Sequence, residues 1–132
     1  MDRLKKAGLV KDYALAGAMA MAAWGYLRAT ADIDLLIIAE ITDIPAIEKK
    51  LFGKAFFVEG AKMIGLRFFV KRTPVDLFFA HTKSDVEAVN NSKRVKLSGV
   101  STKVIPLDFL IKMKKRSKRG KDKIDSKELM KL

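Results

Sequence analysis

The segment Asp32-Ile33-Asp34-Leu35-Leu36-Ile37-Ile38 limits the folds open to this chain more than any other. Its uninterrupted leucine and isoleucine predict a central strand, Ile33 to Ile38, covered on both faces. Side chains alternate along a strand, so Asp32 and Asp34 share one face at its N-terminal end, and Ile33 and Leu35 point the other way. Two carboxylates this close resist ionising together unless a cation sits between them. A hard divalent ion with oxygen ligands is the natural partner. An Asp-x-Asp pair also arises by chance or caps a turn, so taken alone it leaves both readings open.

A third carboxylate stands in Thr73-Pro74-Val75-Asp76-Leu77-Phe78-Phe79. A solitary aspartate in an apolar strand is costly to desolvate and needs a partner. If this strand pairs beside Ile33–Ile38, Asp76 joins Asp32 and Asp34, and three carboxylates suffice for two metal ions. The chain has no cysteine and one histidine, His81. Thiolate sites are thereby excluded and a histidine-based site is not expected, so the expected metal is magnesium or manganese on oxygen ligands, with calcium the remaining hard cation. His81 and Trp24 read as structural.

The remaining sequence predicts a mixed α/β fold over residues 1–132, one domain with helices on at least one face of the sheet. A short amphipathic helix is expected over 2–10, with Leu4, Ala7 and Leu9 inward. A buried strand follows at Tyr13–Ala16, then an apolar helix at Ala18–Trp24 ended by Gly25. A helix from Ile44 to Phe52 carries Pro45 in its first turn. Strands are expected at Ala55–Val58, Leu66–Val70 and Val75–Phe79, a polar helix at Ser84–Asn91, and short strands at Val95–Leu97 and Lys103–Ile105. Pro106 opens a final helical region that Gly120 divides in two. No repeat or linker marks a domain boundary.

The longest uncharged run, residues 13 to 27, is shorter than the roughly 20 residues that span a bilayer. No membrane partner and no cleaved signal are expected, and the absence of cysteine fits the cytoplasm. The net charge is +12. Residues 112–132 hold ten basic and three acidic side chains, leaving +5 for the other 111 residues. Such a concentration attracts polyanions, or serves only to solubilise the terminus. At helical spacing Lys112, Lys115, Arg116 and Arg119 share one face. Lys114 projects instead between Leu110 and Ile111, toward the packed side, where a lysine either snorkels or meets an anion.

The run Leu15-Ala16-Gly17-Ala18-Met19-Ala20-Met21-Ala22-Ala23-Trp24-Gly25-Tyr26-Leu27-Arg28-Ala29-Thr30-Ala31-Asp32-Ile33-Asp34 resembles the signature of the nucleotidyltransferase superfamily. More narrowly, it is similar to the AbiEii-type, toxin-like branch. Val75-Asp76-Leu77 looks like the third-carboxylate strand. Pro106 through Lys114, with Arg119-Gly120-Lys121-Asp122 and Asp125, resembles the closing helical hairpin. The resemblance covers nearly the whole chain and implies a DNA polymerase beta-like fold with a mixed sheet.

It further implies a nucleoside triphosphate substrate carried by magnesium on Asp32 and Asp34, and Asp76 helping to activate an acceptor hydroxyl. Gly17 and Ala18 would lie along the phosphates, and Arg28, Thr30 and Lys114 are candidate nucleotide contacts. Lys112, Lys115, Arg116, Arg119 and Lys121 are candidate contacts to RNA. The reaction implied is nucleotidyl transfer to RNA, such as tRNA, or to a protein hydroxyl, with release of pyrophosphate. Many superfamily members carry Gly-Ser where this chain has Gly17-Ala18, and Ala18 lacks the phosphate-binding hydroxyl. The alternatives are therefore a nucleotide- or RNA-binding module without turnover, and the toxin of a toxin–antitoxin pair with an antitoxin as protein partner.

Overall fold

The computed structural model describes residues 1–26, 32–60, 62–97, 99–116 and 120–132, with backbone alone at 116, 120–123 and 126. In chain order the elements are α1 (Asp2–Lys6), β1 (Asp12–Ala16), α2 (Gly17–Ala23), β2 (Ile33–Ile38), α3 (Ile44–Leu51), β3 (Lys54–Val58), β4 (Met63–Val70), β5 (Thr73–Phe79), α4 (Lys83–Asn90), β6 (Lys93–Leu97), β7 (Val100–Val104), α5 (Leu107–Arg116) and α6 (Gly120–Met130). The strands form one mixed sheet in the order β3-β4-β5-β2-β1-β7-β6. The apolar run of β2 lies at its centre, antiparallel to β1 and parallel to β5.

Two cores follow from the alternation of side chains across the sheet. On one face Ala14, Ala16 and Leu36 pack against Ala20 and Met21 of α2, Ala88 and Val89 of α4, Phe109 and Leu110 of α5, and Leu129 of α6. On the other face Ile37, Leu66, Val75, Leu77 and Phe79 pack against Leu4 of α1 and Ile44 and Ile47 of α3. Thr82 caps α4 reciprocally with Asp85: the Asp85 amide donates to Thr82 Oγ1 at 3.1 Å, and the Thr82 amide donates to Asp85 Oδ2 at 3.3 Å. Buried Asp85 is thus accounted for by the cap. The indole of Trp24 donates to the Ile105 carbonyl at 2.9 Å, a structural use of that side chain.

Several boundaries differ from expectation. The first helix stops at Lys6, because Gly8 adopts φ 75° and the Leu9 amide bonds back to the Leu4 carbonyl. Ala7 is consequently exposed, and Val10 joins Leu4 in the core instead. β4 begins at Met63, before the expected Leu66, through pairing of 63–65 with Phe56–Val58. Gly65 belongs there because the Phe56 ring lies over it: a Cβ would meet Phe56 Cζ at 2.4 Å. β6 and β7 also run further through polar residues than their apolar centres indicated, since a hairpin ladder is stabilised by backbone pairing whatever the outward side chains are. Among the described residues no helix is long and apolar enough to cross a membrane.

Candidate active site

The register of three strands puts four charged side chains in one neighbourhood. Asp34 lies directly opposite Asp76 in the parallel β2–β5 pair, and Asp76 lies opposite Arg67 in the antiparallel β4–β5 pair. Asp32 precedes Asp34 by two residues and lies within 3.6 Å of Arg67 through its Oδ2. The strand pairing on which Asp76 depended is therefore present.

Asp76 is 6% exposed, and a buried carboxylate needs an answering charge. Arg67 supplies it bidentately: Nε donates to Oδ1 at 2.7 Å and Nη2 to Oδ2 at 2.8 Å. These hydrogen bonds hold Arg67 even more firmly in its charged form. Asp34 has no such clamp. Burial, together with the charges of Asp76 and Asp32, pushes its carboxyl from the ordinary 3.8 up to about 6, against the opposing pull of Lys114 and Arg67. The cluster is short of positive charge at Asp34 and well supplied at Asp76.

Gly17 closes the site from the β1 side. Ala16 pairs with Asp34, and the chain then turns into α2 with Gly17 at φ 61°. A Cβ on residue 17 would come within 2.1 Å of Asp34 Oδ2. Only glycine allows both the left-handed backbone and the contact with the carboxylate. Ala18 follows in the first turn of α2 and packs against the adjacent core.

Lys114 reaches inward from α5, as its helical position implied. Its Nζ lies 3.5 Å from Oδ2 of Asp125, a residue 2% exposed, whose Oδ1 accepts a 3.1 Å bond from the Tyr26 hydroxyl. Lys114 also acts electrostatically on Asp34. It thus links the closing helices to the carboxylate cluster. Lys112 is directed elsewhere, lining a groove with Glu87 and Asn91 beside α4, and Lys115 is exposed. Arg28, Thr30 and Arg119 lie outside the described residues, as do the side chains of Arg116 and Lys121.

No family model matches the sequence, and no curated protein matches it. Solved structures do. The Thermotoga maritima protein TM1012, assigned as a nucleotidyltransferase, superposes with a TM-score of 0.59 over 85% of this chain and 76% of its own, at 17% identity. ANT(2")-Ia, captured with adenylyl-2"-tobramycin, superposes with a TM-score of 0.58 over 97% of this chain and 81% of its own, at 15% identity. The fold is the nucleotidyltransferase fold. At these identities the likeness concerns the backbone architecture.

A nucleotidyltransferase fold commonly works with a divalent ion, so the fit of these residues to one matters. Among the described residues, no three acidic or imidazole side chains converge as a ready metal cage. Arg67 also engages both oxygens of Asp76. Asp32 and Asp34 remain a suitable pair, with carboxylate oxygens of the right hardness and a charge deficit registered in Asp34. Arg67 is the residue that sequence reasoning missed. It is the single charge within Met63–Val70, the same mark that singled out Asp76 in its own strand.

Proposed function

We propose that the protein is a metal-dependent nucleotidyltransferase that moves a nucleotidyl group from a nucleoside triphosphate to an acceptor hydroxyl. The observation that carries this reading is the row Arg67, Asp76, Asp34 across adjacent strands, with Gly17 pressed against Asp34. In this reading Asp32 and Asp34 hold magnesium or manganese. The ion, when bound, neutralises triphosphate charge and supplies the positive charge that Asp34 lacks.

The protein's own groups do the positioning. The Gly17 turn lets phosphates approach the backbone beside Asp34, with Ala18 contributing no hydroxyl. Asp76, oriented by Arg67, faces the acceptor and takes the proton of its hydroxyl. The acceptor oxygen forms a bond to the α-phosphorus, the bond from that phosphorus to the bridging oxygen of the β-phosphate breaks, and pyrophosphate leaves with the electron pair. Lys114, held by Asp125, offsets negative charge near Asp34. Arg28 and Thr30 are further candidates for nucleotide contact. RNA, including tRNA, or a protein side chain would provide the hydroxyl.

The test is incubation with labelled nucleoside triphosphates, magnesium and total RNA or lysate. Transfer of label that is lost in Asp34→Asn supports the reading. No transfer from any of the four triphosphates, with a folded sample, sinks it. A second reading is favoured by the Arg67–Asp76 clamp together with Ala18: a nucleotide-binding module without turnover. It predicts magnesium-dependent binding of ATP with no label transfer. The AbiEii-like branch and a toxin role stay with the sequence pattern, and growth arrest on expression, relieved by Asp34→Ala, would support them.

A further inference from the structure

Among the described residues, no helix covers Lys54, Phe56, Arg67 and Phe69, all exposed on the face that carries the carboxylates. Lys54 pairs with Arg67, Phe56 with Gly65, and Phe69 with Pro74, so Lys54, Phe56, Arg67 and Phe69 all project from that face. Together with Phe52 they line a groove of about 420 Å³ that contains two cations and no acidic side chain. Arg67 belongs to both places: it is a wall of the groove and the clamp on Asp76. The groove is therefore continuous with the acceptor side of the proposed site. The Gly17 turn lies on the opposite side of the carboxylates, against Asp34.

Phe56 packs over Gly65 and edge-on against Phe78, but the two other aromatic residues lack a packing explanation. Phe69 is 63% exposed and Phe52 is 96% exposed. Phe52 also sits at the C-terminus of α3 with φ 53°, where glycine or asparagine is the usual choice. A bulky aromatic in left-handed backbone, fully in solvent, costs stability and buries nothing. At the rim, the β4–β5 turn adds Lys71 and Arg72, both exposed. Phe69 lies opposite Pro74, two residues along β5 from Asp76, so with strands roughly 5 Å apart and about 3.3 Å per residue the two positions are on the order of 8 Å apart. That is within reach of a single nucleotide.

We infer that this groove seats the acceptor, and that the acceptor is the end of a single-stranded nucleic acid. Unpaired bases stack on Phe52 and Phe69, while phosphates meet Lys54 and the Lys71–Arg72 turn. Exposed aromatics interleaved with cations are the chemistry that holds single strands with little sequence preference. A peptide acceptor would need backbone pairing along the edge strand β3, where the Ala55 amide already donates to Glu48 Oε2 at 3.0 Å. This inference deepens the transfer reading and rests on it for the word acceptor. It moves the nucleic-acid contact away from the Lys112 and Lys115 face of α5.

The test uses the whole protein and a 5′-fluorescein oligoriboadenylate, followed by anisotropy, with magnesium-ATP binding measured in parallel. Phe52→Ala/Phe69→Ala should weaken oligonucleotide binding by about tenfold or more, with ATP affinity unaltered. Lys54→Gln should lower the salt dependence by roughly one ion. A duplex of the same length should compete poorly, since its bases are not free to stack. Equal competition by the duplex, unaltered affinity in the double variant, or a loss produced by Lys112→Gln/Lys115→Gln instead would each overturn the inference. So would label transfer to protein that ignores the Phe52→Ala/Phe69→Ala change. Failure of the parent protein to bind magnesium-ATP would instead strike the transfer reading, while oligonucleotide binding would still decide the groove.

Discussion

Replacing Asp34 by asparagine should make the metal-free protein more stable at neutral pH. In the folded chain the Asp34 carboxyl is pushed up to about 6, whereas 3.8 is its ordinary value. Between these limits the folded state binds more protons than the unfolded state, so stability falls as pH rises through the window. The loss is complete above about pH 6 and absent below about pH 4. At about 1.4 kcal/mol per pH unit its ceiling is about 3 kcal/mol. Asparagine keeps the shape and removes the charge, but its amide needs its own partners, so a net gain of about 1–2 kcal/mol is expected. Urea denaturation at about pH 4 and about pH 7.5 measures it. The variant should unfold somewhat earlier than the parent at the lower pH, by the cost of its amide, and roughly 0.5–1 M later at the higher one. Magnesium should narrow the gap by stabilising only the parent. An Asp34→Asn protein no more stable than the parent at about pH 7.5 refutes the charge deficit, and with it the physical case for a cation at this position.

Three further outcomes follow from the same geometry. Gly17→Ala combines a left-handed alanine, costing about 1–2 kcal/mol, with a Cβ driven into Asp34; thermal melting should drop by roughly 5–10 °C, and magnesium-ATP binding should fall with it. Arg67→Met leaves the buried Asp76 carboxylate unanswered, and denaturation should show a loss of about 2–4 kcal/mol, of which Arg67→Lys recovers only part because an ammonium cannot make two parallel bonds. Lys114→Met removes the cation beside buried Asp125 and should cost about 2–3 kcal/mol. Adding Asp125→Asn should cost less than the sum of the two single changes, as a double-mutant cycle would show.

Asp32 and Asp34 were readable because period-two alternation is local: neighbouring residues decide which face a strand residue occupies. Asp76 was readable as a candidate because a lone charge in an apolar strand demands a partner. Arg67 carried the same mark, but in a chain of net charge +12 one more arginine passes for a solvated side chain. Its significance appears only when β4 and β5 are in register. Lys114 could be placed inward from helical spacing alone, yet its partner Asp125 lies in another helix, α6, and could not be named. Lys112, which helical spacing grouped with Lys115, lies beside α4 rather than toward the carboxylates. The aromatic groove was invisible, since Phe52, Phe56 and Phe69 read equally well as core.

The sequence by itself determined the apolar β2 strand, the carboxylate pair at its head, the glycine that opens α2 and the likeness to nucleotidyltransferases. Each of these depends on residues within one element or one turn, where propensity and periodicity act. Tertiary structure decided the pairing of Asp34 with Asp76, the clamp of Arg67 on Asp76 and the open sheet face beside it. Those depend on strand order and register, which are set jointly by packing on both faces of the sheet. A register slip of one residue would turn Asp76 to the opposite face. No local pattern excludes that slip; the burial of Val75, Leu77 and Phe79 against Ile44 and Ile47 does.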